Sequence, residues 1–181
     1  MNSGVQFLAL GMVFGALSPT AMAAAPATGD AATAVVTTVE RICLPLIEGQ
    51  PIKTVAAATG LKQARGEWVL QLEGKQRVTV APPGGANPTV CSAVIIHAPG
   101  DQEPIVKALD AWAMGKTPAY SRDKVREDIK GAVALRKTSS WYAATPAGNT
   151  NIVFSEEKTL QGGPVAGPLD QATLMVNVAK P

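Results

Sequence analysis

The chain has 181 residues, of which 46% are hydrophobic and 17% charged, which suits one globular domain and is too short for two of ordinary size. Its 16 Lys and Arg residues against 14 Asp and Glu residues leave a formal net charge of +2. This balance argues against a nucleic-acid partner, because such proteins usually carry a basic patch or stripe. One His and two Cys exclude a zinc site of the usual kind, which takes about four such ligands. We expect neither a metal nor a cofactor.

The N-terminal segment is predicted to be a signal peptide. Residues 5–17 form an apolar run that reaches roughly 20 Å as a helix, less than the roughly 30 Å of a bilayer core. The small-x-small pattern Ala21-Met22-Ala23 follows and predicts cleavage between Ala23 and Ala24. The alternative is a buried N-terminal helix, since no Lys or Arg precedes the run. We expect export by the general secretory route, to the periplasm or the medium, with no membrane span after cleavage.

Export gives the two cysteines a structural interpretation. In an oxidising compartment an even pair is most simply a disulfide. A bond from Cys43 to Cys91 would close a loop worth about 4 kcal/mol in the chain-entropy model. The alternatives are two buried free thiols, or a catalytic thiol with His97 as its base. The catalytic alternative is disfavoured because each cysteine lies in an apolar run, where a thiolate is poorly solvated.

After cleavage, we expect a disordered lead-in over 24–32 and a single domain over 33–181. Apolar residues recur at helical spacing over 33–47, and this pattern places Cys43 on the buried face of a first helix. A short second helix follows at 51–59. The clearest helix is predicted at about 102–114.

Strands are predicted where apolar residues alternate or run together: a hairpin over 67–80, a third strand over 89–98, and strands over 133–143, 150–156 and 171–179. The third strand is so apolar that it should be central or covered on both faces. Residues 119–131 fit a charged helical turn or, slightly better, an exposed edge strand. The order α-α-βββ-α-βββ predicts an α+β domain in two layers, with a mainly antiparallel sheet and helices on one face. A sheet that curls on itself is the alternative.

Several short features share a layout with known proteins. A leader is followed by a helix carrying Cys43-Leu44-Pro45, a hairpin that begins near Trp68, Cys91 in an apolar strand, and a helix carrying Ala111-Trp112-Ala113. In this layout the chain resembles small exported proteins of Gram-negative bacteria that have no assigned activity. The resemblance implies export and supplies no site residue.

His97 is the candidate catalytic residue because it is the one histidine and ends a predicted strand. Asp101 and Glu103 follow closely enough to orient its imidazole, as a general base requires. The hydroxyls available as nucleophiles are Ser92, Ser139 and Ser140. None of them lies in a Gly-x-Ser-x-Gly elbow, and a solvated strand end is the alternative interpretation of His97.

A second candidate site is the aromatic pair Trp141 and Tyr142. Adjacent strand residues point to opposite faces, so Tyr142 should face outward if Trp141 faces the core. Tyr142 would then lie beside Arg136 or Lys137 and form a contact patch. Filling of the core is the alternative role for the pair.

The sequence favours an exported, non-enzymatic module that binds a protein or a component of the cell envelope. The alternative is a small hydrolase or another acid/base enzyme that uses His97. The chain has one histidine and no recognisable nucleophile motif, so it offers few groups for acid/base or nucleophilic catalysis. The oligomeric state does not follow from the sequence.

Overall fold

The computed structural model describes residues 30–131, 134–145 and 148–179. The predicted signal peptide, its cleavage site at Ala23 and Ala24, and most of the lead-in lie outside these residues. The helical elements are α1 (Ala31–Thr37), a π-helical segment (Thr38–Cys43), α2 (Leu44–Ile47), α3 (Ile52–Thr59) and α4 (Gln102–Met114).

The first three of these elements form one continuous helical stretch. It begins at Ala31, before the predicted start at residue 33, because the side chain of Asp30 accepts a hydrogen bond of 2.7 Å from the Thr33 amide and caps the helix. The π-helical segment lies next to Pro45, whose ring would collide with the carbonyl of Arg41 in a regular α-helix. The wider turn therefore lets the helical stretch pass the proline.

The strands are β1 (Lys62–Ala64), β2 (Glu67–Gln71), β3 (Arg77–Ala81), β4 (Val90–His97), β5 (Ser121–Arg122), β6 (Arg126–Lys130), β7 (Ala134–Thr145), β8 (Gly148–Thr159) and β9 (Asp170–Ala179). They form one sheet in the order β1-β2-β3-β4-β9-β8-β7-β5, and β6 also pairs with β7. Every pairing is antiparallel. The predicted α+β class with a mainly antiparallel sheet is confirmed.

Most predicted elements are observed, with differences at the edges of the sheet. The range 119–131 contains two short strands, β5 and β6, and the five residues of β6 are all exposed. β1 was not expected, because its three exposed residues carry no apolar alternation. β4 is central, between β3 and β9. It is not covered on both faces, since Val94 in its middle is 39% exposed.

The core is one buried cluster to which both the helices and the sheet contribute. Val35, Ile42 and Leu109 of the helices belong to the same buried cluster as Phe154 and Leu174 of β8 and β9. Burial alternates along β9, as expected for a sheet with one buried face. No helix in the described part of the chain has the length and apolar character needed to cross a membrane.

A disulfide joins Cys43 in the helical stretch to Cys91 in β4, and their Cα atoms are 5.3 Å apart. Both cysteines are fully buried. The predicted bond is confirmed. It excludes a catalytic role for either cysteine as a free thiol, because both sulfur atoms are bonded.

Candidate functional site

The buried face of the sheet changes from apolar to charged at one end. His97 at the end of β4 lies directly opposite Asp170 at the start of β9. On β8, Glu156 and Lys158 occupy alternate positions and so share one face. His97, Glu156 and Asp170 are at most 1% exposed, whereas the Lys158 side chain is 28% exposed. We call these four residues the charge cluster.

Two buried carboxylates in the cluster share one ammonium group. Lys158 Nζ lies 3.1 Å from Glu156 Oε1 and also forms an ion pair with Asp170 Oδ2. Asp170 Oδ1 accepts no hydrogen bond from the described residues, whereas Glu156 Oε1 contacts Lys158.

His97 is held by its own loop. Its Nδ1 lies 2.9 Å from the carbonyl oxygen of Ala98. Because a carbonyl oxygen only accepts, Nδ1 is the donor and the neutral ring has its lone pair on Nε2. Nε2 is buried, and no described residue gives it a hydrogen bond.

Burial and pairing shift the acid–base behaviour of the cluster. Burial raises the pKa of Glu156 above its ordinary value, although Lys158 acts in the opposite direction, and the nearby Asp170 carboxylate adds to the rise. For Lys158, burial acts to lower the pKa, but the hydrogen bonds with Asp170 and Glu156 outweigh it and the pKa is raised. The cluster therefore keeps its ammonium charged and makes the Glu156 carboxylate easier to protonate than an exposed one.

A cavity of about 270 Å³ adjoins the cluster, and we call it the cluster cavity. It is lined by residues 127–129 of β6, 135–137 of β7, Glu156 and Lys158 of β8, and Gln102 of α4. Ile129 and Leu135 supply an apolar wall, and they are 64% and 40% exposed. The cavity thus has an apolar wall beside a buried acidic group.

The other charges around the cluster cavity are paired with each other. Arg136 binds the two carboxylate oxygens of Asp128, with Nε 2.9 Å from Oδ1. This bond holds the pKa of Asp128 below its usual range. Lys137 Nζ lies 3.7 Å from Glu127 Oε1. These pairs balance, which leaves Glu156 and Lys158 as the other two charged residues of the cavity lining.

The structure changes the predicted surroundings of His97. Asp101 Oδ2 accepts a hydrogen bond from the Ala98 amide, and Glu103 forms an ion pair of 3.3 Å with Lys107, so neither orients the imidazole. The acidic neighbours of His97 come instead from strands β8 and β9. His97 does not line the cluster cavity.

The candidate serine nucleophiles do not meet His97. Ser92 lies on β4 itself, five residues before the histidine, and an odd separation places it on the opposite face. Ser139 Oγ contacts the Arg122 guanidinium at 3.5 Å. Ser140 follows it on the other face of β7. The Ser–His arrangement that the hydrolase hypothesis needs is therefore not formed by these residues.

The aromatic pair points as predicted. Trp141 is 1% exposed, and its Nε1 donates a hydrogen bond of 2.8 Å to Asp110 Oδ1. The Arg122 guanidinium lies 5.7 Å from the centre of its ring. Tyr142 is 56% exposed on the opposite face. Trp141 is thus a core residue that ties α4 to β7.

The contact patch expected around Tyr142 is not formed with its predicted partners. Arg136 shares a sheet face with Tyr142 but lies six residues away along β7, which corresponds to about 20 Å. Lys137 lies on the other face. Arg136 instead lines the cluster cavity, where it pairs with Asp128.

In the described residues, no group of three or more His, Cys, Asp or Glu side chains is arranged to hold a metal ion. No protein-family model, curated protein or solved structure matches the chain. The resemblance to small exported proteins of Gram-negative bacteria stays a prediction.

Proposed function

We propose that the chain is an exported, non-enzymatic binding module whose ligand site is the cluster cavity. Its binding partner is a protein or a component of the cell envelope. The observation that carries the proposal is the position of Glu156, a fully buried carboxylate in the wall of an open cavity.

The charge cluster supports binding because it is a poor way to stabilise a fold. Removing charged groups from water costs free energy, and a buried ion pair often only recovers that cost. Here one ammonium faces two carboxylates, so the second carboxylate is incompletely compensated. Perturbed ionisable groups of this kind concentrate at functional sites.

The enzyme alternative has weaker support. A general base must reach the proton it removes, directly or through one water. His97 is fully buried outside the lining of the cluster cavity, and the candidate serines lie elsewhere. The export part of the proposal rests on the predicted signal peptide, and the disulfide agrees weakly with an oxidising compartment.

A fragment screen by NMR on the cleaved chain tests the proposed site. We expect small ligands to shift the amide signals of residues 127–129 and 135–137. Leu135→Trp should fill the cavity and abolish these shifts. Val94→Trp is the matched control, because Val94 is equally exposed but lies away from the cavity. A screen that leaves the cavity signals unmoved, or binding that survives Leu135→Trp, would overturn the proposal.

A further inference from the structure

We infer that two copies of the chain form a symmetric dimer by stacking one face of their sheets against each other. This face, which we call the outer face, points away from the buried cluster of the core. The inference goes beyond the proposed function, because no residue of the outer face lines the cluster cavity. It follows from the composition, the charge and the area of the outer face.

The register of the strands defines the outer face. Opposite residues of an antiparallel pair point to the same side of the sheet, and the side alternates along each strand. Ile95, Leu174 and Phe154 belong to the core, so the alternate residues of their strands point the other way. The outer face consists of positions 79 and 81 of β3, the even positions 90–94 of β4, the odd positions 173–179 of β9 and 149–155 of β8, and the even positions 138–144 of β7.

The outer face is open to solvent and carries no charge. None of its seventeen residues is buried, and none is Asp, Glu, Lys or Arg. A solvent-facing surface of this extent ordinarily carries about four to six charged residues. Val94, Tyr142 and Met175 are exposed large hydrophobic residues of the outer face. Depletion of charge, together with exposed Tyr and Met, is typical of the centre of a protein–protein interface.

Charged residues begin one position outside the outer face. Arg77, Glu157 and Arg136 lie in the next row across the sheet. Arg126 of β6 lies opposite Thr138 and bounds the face on the side of the edge strands. An uncharged centre with a charged rim has the anatomy of an interface between proteins.

Charge and symmetry select a second copy of the chain as the partner. In a twofold dimer the same patch lies on both sides of the interface, so a charged residue near the axis would meet its own copy. The outer face has no charged residue and therefore avoids this like-charge contact. A different protein would be recognised through complementary charges, which the outer face does not offer.

The area of the outer face is sufficient for a dimer. Strands lie about 4.8 Å apart, and residues on one side of a strand follow each other at about 6.8 Å, so each position covers about 33 Å². Seventeen positions give about 550 Å² per copy, or about 1,100 Å² for the pair. A specific interface needs about 1,000 Å², and one near this limit is typical of a transient complex. We therefore expect a dimer that dissociates at micromolar protein concentrations.

Analytical ultracentrifugation of the cleaved chain, from micromolar to millimolar concentration, tests the dimer. We expect a monomer–dimer equilibrium. Met175→Lys places an ammonium group in the middle of the outer face, between Ser92 and Val153 on the neighbouring strands. It should weaken dimerisation at least about tenfold, because the two copies would bring like charges together. Ile129→Lys is the matched control, since Ile129 is also exposed but lines the cluster cavity, and it should dimerise as the wild type does.

An NMR dilution series on the wild-type chain locates the contact without any variant. We expect the amide signals of residues 151–155 and 173–177 to move with protein concentration, because these segments cross the middle of the outer face. The signals of residues 126–130 should stay in place. These residues form β6 at the edge of the sheet, where a dimer made by pairing of edge strands would instead form its contact.

Three results would overturn the inference. The first is a chain that stays monomeric at millimolar concentration, and the second is Met175→Lys that dimerises as tightly as the wild type. The third is a dilution series in which only the signals of β6 move. The fragment screen measures binding at the cluster cavity separately, so the dimer and the proposed function can fail independently of each other.

Discussion

Lys158 is the residue on which the charge cluster depends. Its ammonium group forms ion pairs with both Glu156 and Asp170. Lys158→Met would therefore remove the cation that these two buried carboxylates share. Breaking a buried ion pair in this way costs about 3–5 kcal/mol. We expect a loss of that size in the free energy of unfolding at neutral pH, measured by urea denaturation.

Lys137→Met is the matched control, because Lys137 is half exposed and loses a single ion pair of 3.7 Å. Surface pairs of this kind contribute about 0–1 kcal/mol. If Lys158→Met and Lys137→Met are equally stable, the carboxylates of the cluster are not charged in the folded chain.

Glu156 gives the fold a pH dependence with a definite sign. Because burial raises its pKa above the ordinary value of 4.5, the folded chain keeps this proton at a pH where the unfolded chain has lost it. The contribution of Glu156 to stability therefore falls as pH rises from about 4.5 through the raised pKa. Glu156→Gln does not titrate, so its stability relative to wild type should increase over that window. Glu157→Gln is the control, and a difference that stays constant with pH would contradict the raised pKa.

α4 anchors the aromatic part of the core through Trp112. The ring lies 5.2 Å from that of Tyr120, with Lys116 Nζ 5.1 Å from its centre. Truncation of a buried Trp typically costs about 3–5 kcal/mol, and we expect this loss for Trp112→Ala in chemical denaturation. Met114→Ala on the same helix is the control, because Met114 is 70% exposed and should change stability by less than about 0.5 kcal/mol. A loss below that limit for Trp112→Ala would mean that the ring contributes no packing.

The disulfide links two elements that the sheet alone does not connect. Its ends are 48 residues apart, and in the chain-entropy model closing such a loop is worth about 4 kcal/mol. The double variant Cys43→Ala/Cys91→Ala should therefore unfold at lower denaturant concentration while keeping its far-UV circular dichroism. A midpoint equal to that of the oxidised wild type would show that the bond does not constrain the unfolded chain.

Local patterns predicted the helices better than the sheet order. The bounds of α4 agree with the prediction because its apolar face is periodic and Gly115 ends it. The start of α1 was missed because Asp30, its cap, stands in an Ala-rich stretch that has no apolar periodicity. The pairing of β4 with β9 joins residues about 80 positions apart, and no local pattern encodes such a contact.

The whole sheet creates a site that its separate strands do not reveal. Glu156 and Lys158 lie in a run of five polar residues, 155–159, and Asp170 follows a Gly/Pro-rich loop, so each resembles a surface residue in the sequence. Only the order β4-β9-β8 brings them to His97. His97 was identified as chemically interesting from the sequence, but its acidic partners depend on long-range pairing.

Export remains a prediction at the scale of the whole molecule, and it would link the predicted leader to the observed disulfide. If cleavage follows Ala23, mass spectrometry of the exported protein should find Ala24 at the N-terminus and no free thiol, because Cys43 and Cys91 are bonded. Ala23→Tyr should block cleavage, since signal peptidase requires a small residue there. Thr28→Tyr, beyond the site, should leave cleavage intact. Recovery of Met1 on wild-type chains with two titratable thiols would contradict export and remove the oxidising compartment from the proposed function.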